Sequence, residues 1–571
     1  MSIVILSAPQ GCSIRVTLAR VLHSTCSLGP KLLTCFVLVV SGPLFGASAA
    51  QVPSVTIGQN FLGSTFFVNS SALPPDSNGV IGPRHFVEFI NGSFTVYNKT
   101  NGQSVKRITD LHFWSNAGLV LSTDAAVTDP RVIYDPTTQR WFASMVDFDA
   151  NAPSDPTLEA NDFLLAVSDT SDPTLTWHGF LFQADPDNGN FADFPTLGLD
   201  NDAVYLSGDM YHGEDNPIGA GLFSFPKADL VAATPSIARR TWHGVMPYTA
   251  RGQVLQPANC FDGSTHGQIL AVSDIGNDSD PHSNLVSFVV QKASESGATL
   301  SPSTFIPTLP WEVPDSPYLP APSFAPIQPD GSDTLQANEA RLSAKVFTVG
   351  GILYAVHNTL FNGRVAIRWY RVRASDNVLL ESGTISDPNL DLIFPSIAAN
   401  PAGVVVIGFN GCGLSTFITC YAMAGQTING VTTFGNRIVL QASGVSYHDL
   451  YEEYGLADTS RWGDYSSTSV DPNNPNRFWT IQMYASDSDV WSTQITELIT
   501  VPQVLLNIKS IGTFVTVSWP IVPGYHLTSA TNLAGTVTWS NVSQTPVTNN
   551  NQLTVTLPTS ANQQFFRLQN P

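Results

Sequence analysis

The chain has 571 residues, more than one ordinary core accommodates, so several domains or a repeat architecture is expected. Charged residues make up only 12% while Gly (42) and Pro (40) are plentiful, which disfavours helix-rich and coiled-coil classes and favours strands joined by turns. With 25 Lys+Arg against 45 Asp+Glu the net charge is -20, which repels phosphate backbones and excludes nucleic acid as a partner driven by counterion release.

In chain order, the first expected element is a leader. Arg15, Arg20 and Lys31 precede an apolar run from Leu32 to Val40, followed by the small residues Gly46-Ala47-Ser48-Ala49-Ala50. This is the layout of a secretory signal peptide over residues 1–50, cleaved near Ala49 to Gln51. The apolar run is shorter than the ~20 residues needed to span a bilayer, so no membrane span is expected in the mature chain and the product is expected to be secreted, extracellular or periplasmic.

Residues 51–502 carry a weak repeat. Seven copies of an x-[P/S/A]-x-h-x-h-[D/N/G] frame, with h apolar, begin at Asp76, Asp129, Phe194, Gln256, Glu339, Phe394 and Tyr465. Each is followed by a polar turn and an apolar run such as HFVEFI or RWFASMV, giving strand, turn, strand. In the Glu339 copy the first strand reads as longer and the Asp-type turn is missing. The intervals leave room for two more strands per copy, and Asn-Gly and Asp-Asn hairpin signals stand where these would turn. Four strands per copy and seven copies predict an all-β, seven-bladed β-propeller. The segment after Gln51, laid beside TQITELI, would close the ring.

Beyond Pro502 the pattern becomes a compact set of alternating strands. FVTVSW places Val515, Val517 and Trp519 on one face, and LTVTL does the same with Leu553, Val555 and Leu557. Residues 503–571 therefore predict a small β-sandwich, similar to the fibronectin-type-III-like modules of secreted bacterial proteins.

After loss of the leader three cysteines remain. Cys412 and Cys420 stand eight apart, close enough for a hairpin disulfide in an oxidising compartment, with Cys260 left as a buried thiol. No cofactor motif is present. The acidic stretch from Asp185 to Asp193 offers oxygen ligands for a structural calcium ion, and equally reads as a solvated loop.

In a propeller the opening residues of each innermost strand surround one end of the central channel. The frame therefore brings together Asp76, Asp129, Glu339, Arg131, Arg341 and Tyr465, with Arg461 and Asp464 just ahead of Tyr465. Paired arginines hold a carboxylate or sulfate, carboxyl groups of unequal pKa serve as acid and base in glycoside cleavage, and a tyrosine serves as nucleophile. The same residues also read as ion pairs pinning adjacent blades, with Tyr465 packed over them.

The segment Thr170-Ser171-Asp172-Pro173-Thr174-Leu175-Thr176-Trp177 resembles the Asp-box of sialidase-like, BNR-repeat propellers, and SVDPNNPNRFW and the Tyr465-Ser466 pair are similar to elements of the same family. The resemblance implies a glycoside hydrolase of anionic glycans in which Arg131, Arg341 and Arg461 clamp a substrate carboxylate, Tyr465 attacks, Glu339 is its base and Asp76 or Asp129 the acid, with Asp464 beside the substrate. A polysaccharide lyase would use similar parts, an Arg neutralising a uronate and a Tyr removing the proton. The alternative from another class is a non-catalytic binding or adhesion scaffold for an extracellular glycan or other surface polymer, because a fold alone does not imply function.

Overall fold

The computed structural model describes residues 52–569, apart from 152–154, 214–215, 277–281, 315–325, 332–333, 339, 450–458, 505, 522–523, 534–536, 550–551 and 559–563. The proposed leader and Glu339 lie outside the described residues. Two compact units divide the chain, one of residues 52–503 and one containing the residues from 504 onward. No helix among the described residues is long and apolar enough to cross a membrane.

The larger unit is built from mostly antiparallel sheets in sequence order, as expected of a propeller. The first sheet runs Asn78–Ile81, His85–Ile90, Ser93–Asn98, Ser104–Ile108, the second Ala125–Asp135, Arg140–Asp149, Asp162–Ser168, Trp177–Gln183, and the third Phe191–Leu199, Ala203–Tyr211, Pro217–Pro226, Thr241–Met246. The fourth starts at Gln253–Pro257, the fifth has Phe347–Val349 between Ile352–Phe361 and the parallel Asn259–Cys260, and the sixth is led by Asp391–Ala399. The seventh joins Ser467–Val470, Arg477–Asp487 and Val490–Val501 to Ser54–Thr65 from the start of the described chain.

That last pairing closes the ring where the sequence placed it. Thr56 lies opposite Ile499 and Phe61 opposite Ile495. Fully buried Glu88 in the first sheet then takes the N–H and hydroxyl of Ser64 and the hydroxyls of Tyr97 and Thr493, so one carboxylate ties the closing strand and its partner strand to the first sheet. Between sheets the packing is apolar, as in the cluster of Phe163, Leu165, Leu197, Leu206 and Phe223 joining the second and third. Gly198 permits close approach of the third and fourth, because a Cβ there would sit 2.3 Å from the Pro257 carbonyl oxygen.

The Asp-box-like segment forms the hairpin between the third and fourth strands of the second sheet. Asp172 accepts from the N–H and hydroxyl of Thr174, while the Trp177 indole donates to the Pro173 carbonyl and packs on Phe94 and Phe113. Its role in this chain is to fix a turn. Likewise the Asp185 carboxylate is taken up by N–H donors of its own loop, from Asp187, Asn188 and Asn190.

The fifth copy of the repeat departs from the expected frame. Residues 340–346 form no strand; the inner strand begins at Phe347 and turns through Gly350 and Gly351, both at positive φ.

The expected disulfide is absent, since Cys412 and Cys420 are both free and buried. They lie on adjacent strands, but Cys420 faces Asn410, two residues from Cys412. A diagonal neighbour stands ~7–8 Å away, beyond disulfide reach. The Cys420 thiol donates instead to the Met483 carbonyl at 3.0 Å, and burial pushes both thiols well up. The native protein is therefore expected to leave a thiol-specific disulfide reagent unreacted until denatured, when Cys260, Cys412 and Cys420 all titrate; a pair found oxidised after non-reducing digestion would contradict this.

The smaller unit contains a four-stranded sheet, Asn507–Ile511, Phe514–Pro520, Gln552–Pro558 and Val547–Asn549, and a three-stranded sheet of His526–Ala530, Phe565–Gln569 and Ser540–Asn541. Their apolar faces meet in one core of Val515, Val517, Trp519, Leu527, Val555, Leu557 and Phe566, a sandwich with the alternation read from the sequence. Trp539 stays outside this core, covered by the Arg567 guanidinium at 4.3 Å.

Candidate functional site

A single local device builds the end of the channel where the inner strands begin. In the second, third, fourth and sixth sheets one extra residue bulges out of the inner strand, between Thr128 and Arg131, Asp193 and Thr196, Gln253 and Gln256, and Ile393 and Ser396. The residue entering each bulge is left-handed although none is glycine: Asp129 (φ 61), Phe194 (φ 51), Val254 (φ 52) and Phe394 (φ 49). Asp76 (φ 53) and Asn338 (φ 48) share that conformation ahead of the first and fifth sheets. A bulge breaks the ladder and leaves backbone groups without partners.

Side chains of neighbouring sheets fill those vacancies in a repeating way. The N–H of three of the four entering residues is accepted by a side chain next door, Asp129 N–H by Asn91 Oδ1 (2.9 Å), Phe194 N–H by Asp129 Oδ2 (3.0 Å) and Val254 N–H by Asp209 Oδ1 (3.2 Å), and ahead of the seventh sheet Asp464 N–H is accepted by Asp76 Oδ1 (3.1 Å) in the same way. The bulge carbonyls are served by side chains of other sheets too. Arg131 Nε donates to Pro195 O (2.7 Å), Thr196 Oγ1 to Leu255 O, Ser466 Oγ to Phe394 O (2.7 Å) and Tyr465 Oη to Pro130 O (3.1 Å).

The residues singled out from the sequence thus converge, but as fasteners between sheets. Tyr465 and Arg131 are each 2% exposed. The guanidinium of Arg131 stacks 3.5 Å over the Tyr465 ring and 5.0 Å from the Phe194 ring, and its Nη1 donates to Ser343 O at 3.0 Å. Arg341 covers the Phe194 ring at 4.5 Å. Arg131 therefore commits Nε and Nη1 to backbone carbonyls, with Nη2 left buried and without a partner among the described residues, and Tyr465 commits its hydroxyl to a carbonyl in the same way. Burial also pushes the Tyr465 phenol well above its ordinary range, against the pull of Arg131, which is the wrong direction for a nucleophile.

Above this plug lies a group of carboxylates. Oxygens of Asp76, Asp129 and Asp464 fall within 4.8 Å of one another, a spacing that could hold a cation or share a proton. Asp464 is paired with Arg461 at 3.2 Å and accepts from Asn338 Nδ2 at 2.8 Å. Burial, then the Asp464 and Asp129 charges, push Asp76 well up. Burial raises Asp129 too. Asp193, partly exposed on the same rim, is raised to about 7 by burial and by Asp129, with Arg341 opposing. Sequence reading had placed Asp193 only in a calcium-type loop and had not singled out Asn91 or Asp209; a polar residue closing the second strand of a repeat was the available signal.

These shifts set a pH dependence. A carboxyl raised on folding binds its proton more tightly in the native state, so its contribution is complete below the unfolded value near 4 and is lost as pH rises through its folded value. For Asp193 the window is about 4 to 7. Asp193→Asn should flatten the fall in unfolding free energy between pH 5 and pH 8 by about 1–3 kcal/mol, read from urea midpoints; parallel profiles for variant and wild type would contradict it.

No protein-family model matches the chain, and no curated protein matches it. Solved structures of propeller type resemble it weakly. Quinohemoprotein alcohol dehydrogenase from Comamonas testosteroni is 10% identical, over 75% of this chain and 68% of that one, with a TM-score of 0.34. Drosophila Plexin A in complex with Semaphorin 1b is 8% identical, over 79% and 88%, at 0.34. Exo-beta-1,3-galactanase from Phanerochaete chrysosporium is 10% identical, over 77% and 100%, at 0.29. No residue role is transferred from them.

Proposed function

We propose that the chain is a secreted, seven-bladed propeller that binds an extracellular carbohydrate without cleaving it, through the polar rim of Asp193, Gln336, Asn338 and Arg461, while Arg131 and Tyr465 beneath the rim lock the sheets together. The observation that carries this reading is how the plug is engaged: Arg131 Nε and Nη1 and the Tyr465 hydroxyl, proposed from the sequence as clamp and nucleophile, donate to the backbone carbonyls of Pro195, Ser343 and Pro130. Rim residues, by contrast, are partly exposed. Carbohydrate is the ligand class implied by the Asp-box resemblance. Purified residues 51–571, offered sialylated, uronate-containing and neutral glycans, should bind at least one of them by calorimetry and release no product by mass spectrometry. Arg461→Ala should weaken that binding roughly tenfold, the effect of losing about 1.4 kcal/mol. Binding to none of the glycans would count against carbohydrate as the ligand.

One observation favours a second reading, glycoside hydrolysis. Asp193 at about 7 is suited to a general acid. Product release by the wild type that disappears in Asp193→Asn would establish that reading in place of the first.

A further inference from the structure

A cavity of about 290 Å³ occupies the opposite stretch of the channel. Its wall is apolar, with Val80, Ile133, Phe261, Phe347, Val349 and Val470 among its lining residues, and it reaches the surface beside the exposed Asp262 and Pro401. Into it projects one lysine. Lys345 lines the cavity and is 6% exposed. Its Nζ lies 3.1 Å from Asn78 Oδ1 and 3.0 Å from Ser467 Oγ, residues two positions before the cavity-lining Val80 and Ser469 on the same strands. Alternate strand residues share a face, so the amine sits at the inner end of the cavity.

Two further polar groups there are unspent. The Thr348 hydroxyl, on a cavity-lining residue 3% exposed, has no hydrogen-bond partner, and neither has Asn78 Nδ2. Buried polar atoms without partners are rare and point to a missing ligand. No carboxylate forms an ion pair with Lys345 among the described residues, although Asp262 and Asp471 also line the cavity, and burial, with the Arg131 charge adding to it, holds the lysine well below its ordinary range. A neutral amine has two N–H groups and a lone pair; with both N–H groups donated to Asn78 and Ser467, the lone pair is left. A lysine desolvated in an apolar pocket is a nucleophile toward carbonyls.

We propose that this cavity is a second ligand site, which takes a small carbonyl compound with an apolar body and holds it as an imine on Lys345 Nζ. The amine lone pair forms the N–C bond to the carbonyl carbon as the C=O π bond opens, and one nitrogen proton passes to the oxygen to give a neutral carbinolamine. The C–O bond then breaks, the hydroxyl leaves as water with the second nitrogen proton, and the C=N bond forms. No oxidant or reductant is consumed. Thr348 and Asn78 supply hydrogen bonds to the carbonyl oxygen. The volume is sufficient, since an apolar cavity of about 150 Å³ takes up benzene.

The probe is benzaldehyde, with cyanoborohydride to reduce the imine, at neutral pH on the folded full chain, read by intact mass and peptide mapping. One benzyl group is expected on Lys345 at roughly tenfold or greater preference over the exposed Lys292, because an ordinary lysine is almost wholly protonated there. The preference should vanish in urea. Val349→Phe, which fills the cavity from its rim and leaves Lys345 in place, should reduce the labelling while a thermal melt reports the fold intact. Labelling spread evenly over the lysines, equal in folded and unfolded chain, or absent from Lys345 would overturn the proposal. Its failure would leave the rim reading untouched, since glycan binding is measured at the other end of the channel.

Discussion

Arg131→Ala is expected to lower the unfolding free energy by about 3–4 kcal/mol, as the stacked cation contributes ~2 and each hydrogen bond from a charged donor ~1.5–3, less the desolvation regained. The loss arises because the Pro195 and Ser343 carbonyls are left buried without donors and the faces of Tyr465 and Phe194 lose their partner. Arg131→Lys should recover little, because an ammonium cannot reach both carbonyls while lying flat on the rings. Arg131→Met keeps most of the volume and separates the hydrogen bonds from the packing. Urea midpoints of the three variants give the ranking; an alanine variant as stable as the wild type would show that the plug contributes nothing to holding the sheets.

The second large effect is expected at Glu88, at the ring closure. Glu88→Ala strands the hydroxyls of Ser64, Tyr97 and Thr493 and the Ser64 N–H in a fully buried place, at a cost of about 3–5 kcal/mol. Because three of these four donors belong to the closing strand and its partner strand, the loss should be local before it is global. Amide hydrogen exchange should show protection falling first in Ser54–Thr65 and along Val490–Val501, whose edge is then uncovered. Glu88→Gln retains an acceptor and should cost about half as much. Uniform loss of protection around all the sheets, or none, would contradict the assignment of Glu88 to closure.

The sequence made the sheets legible because strand pairs alternate strongly and recur, and the closing strand was legible for the same reason. Other features were hidden for identifiable reasons. Left-handed entry residues are normally betrayed by glycine, but here they are Asp, Phe, Val and Asn, so the frame was drawn by side-chain similarity. In the fourth copy it fell on Gln256, two residues past the left-handed Val254, and in the seventh on Tyr465, one past Asp464, whose N–H makes the equivalent hydrogen bond. In the fifth copy it fell on Glu339, well ahead of the strand that starts at Phe347.

The convergence of Asp76, Asp129, Arg131, Asp464 and Tyr465 was legible; their employment was not. A list of residues around a channel does not show that each side chain answers a backbone group exposed by the neighbouring bulge. Asp129 accepts an N–H for the third sheet as Asn91 does for the second, and an amide in one and a carboxylate in the other is what a structural role permits and an acid–base role does not. Lys345 was overlooked because a single lysine looks like a surface residue in a sequence, and only the ring of sheets shows that it is buried beside Asn78 and Ser467.

The most direct test of the plug is Tyr465→Phe, measured for both unfolding and glycan turnover. The substitution removes one hydroxyl and leaves the Pro130 carbonyl without its donor, so the account predicts a loss of about 1–2 kcal/mol in unfolding free energy, unchanged glycan binding and no product from variant or wild type. A wild type that releases product, with turnover abolished in Tyr465→Phe at an unchanged urea midpoint, would make Tyr465 a catalytic residue and contradict the account.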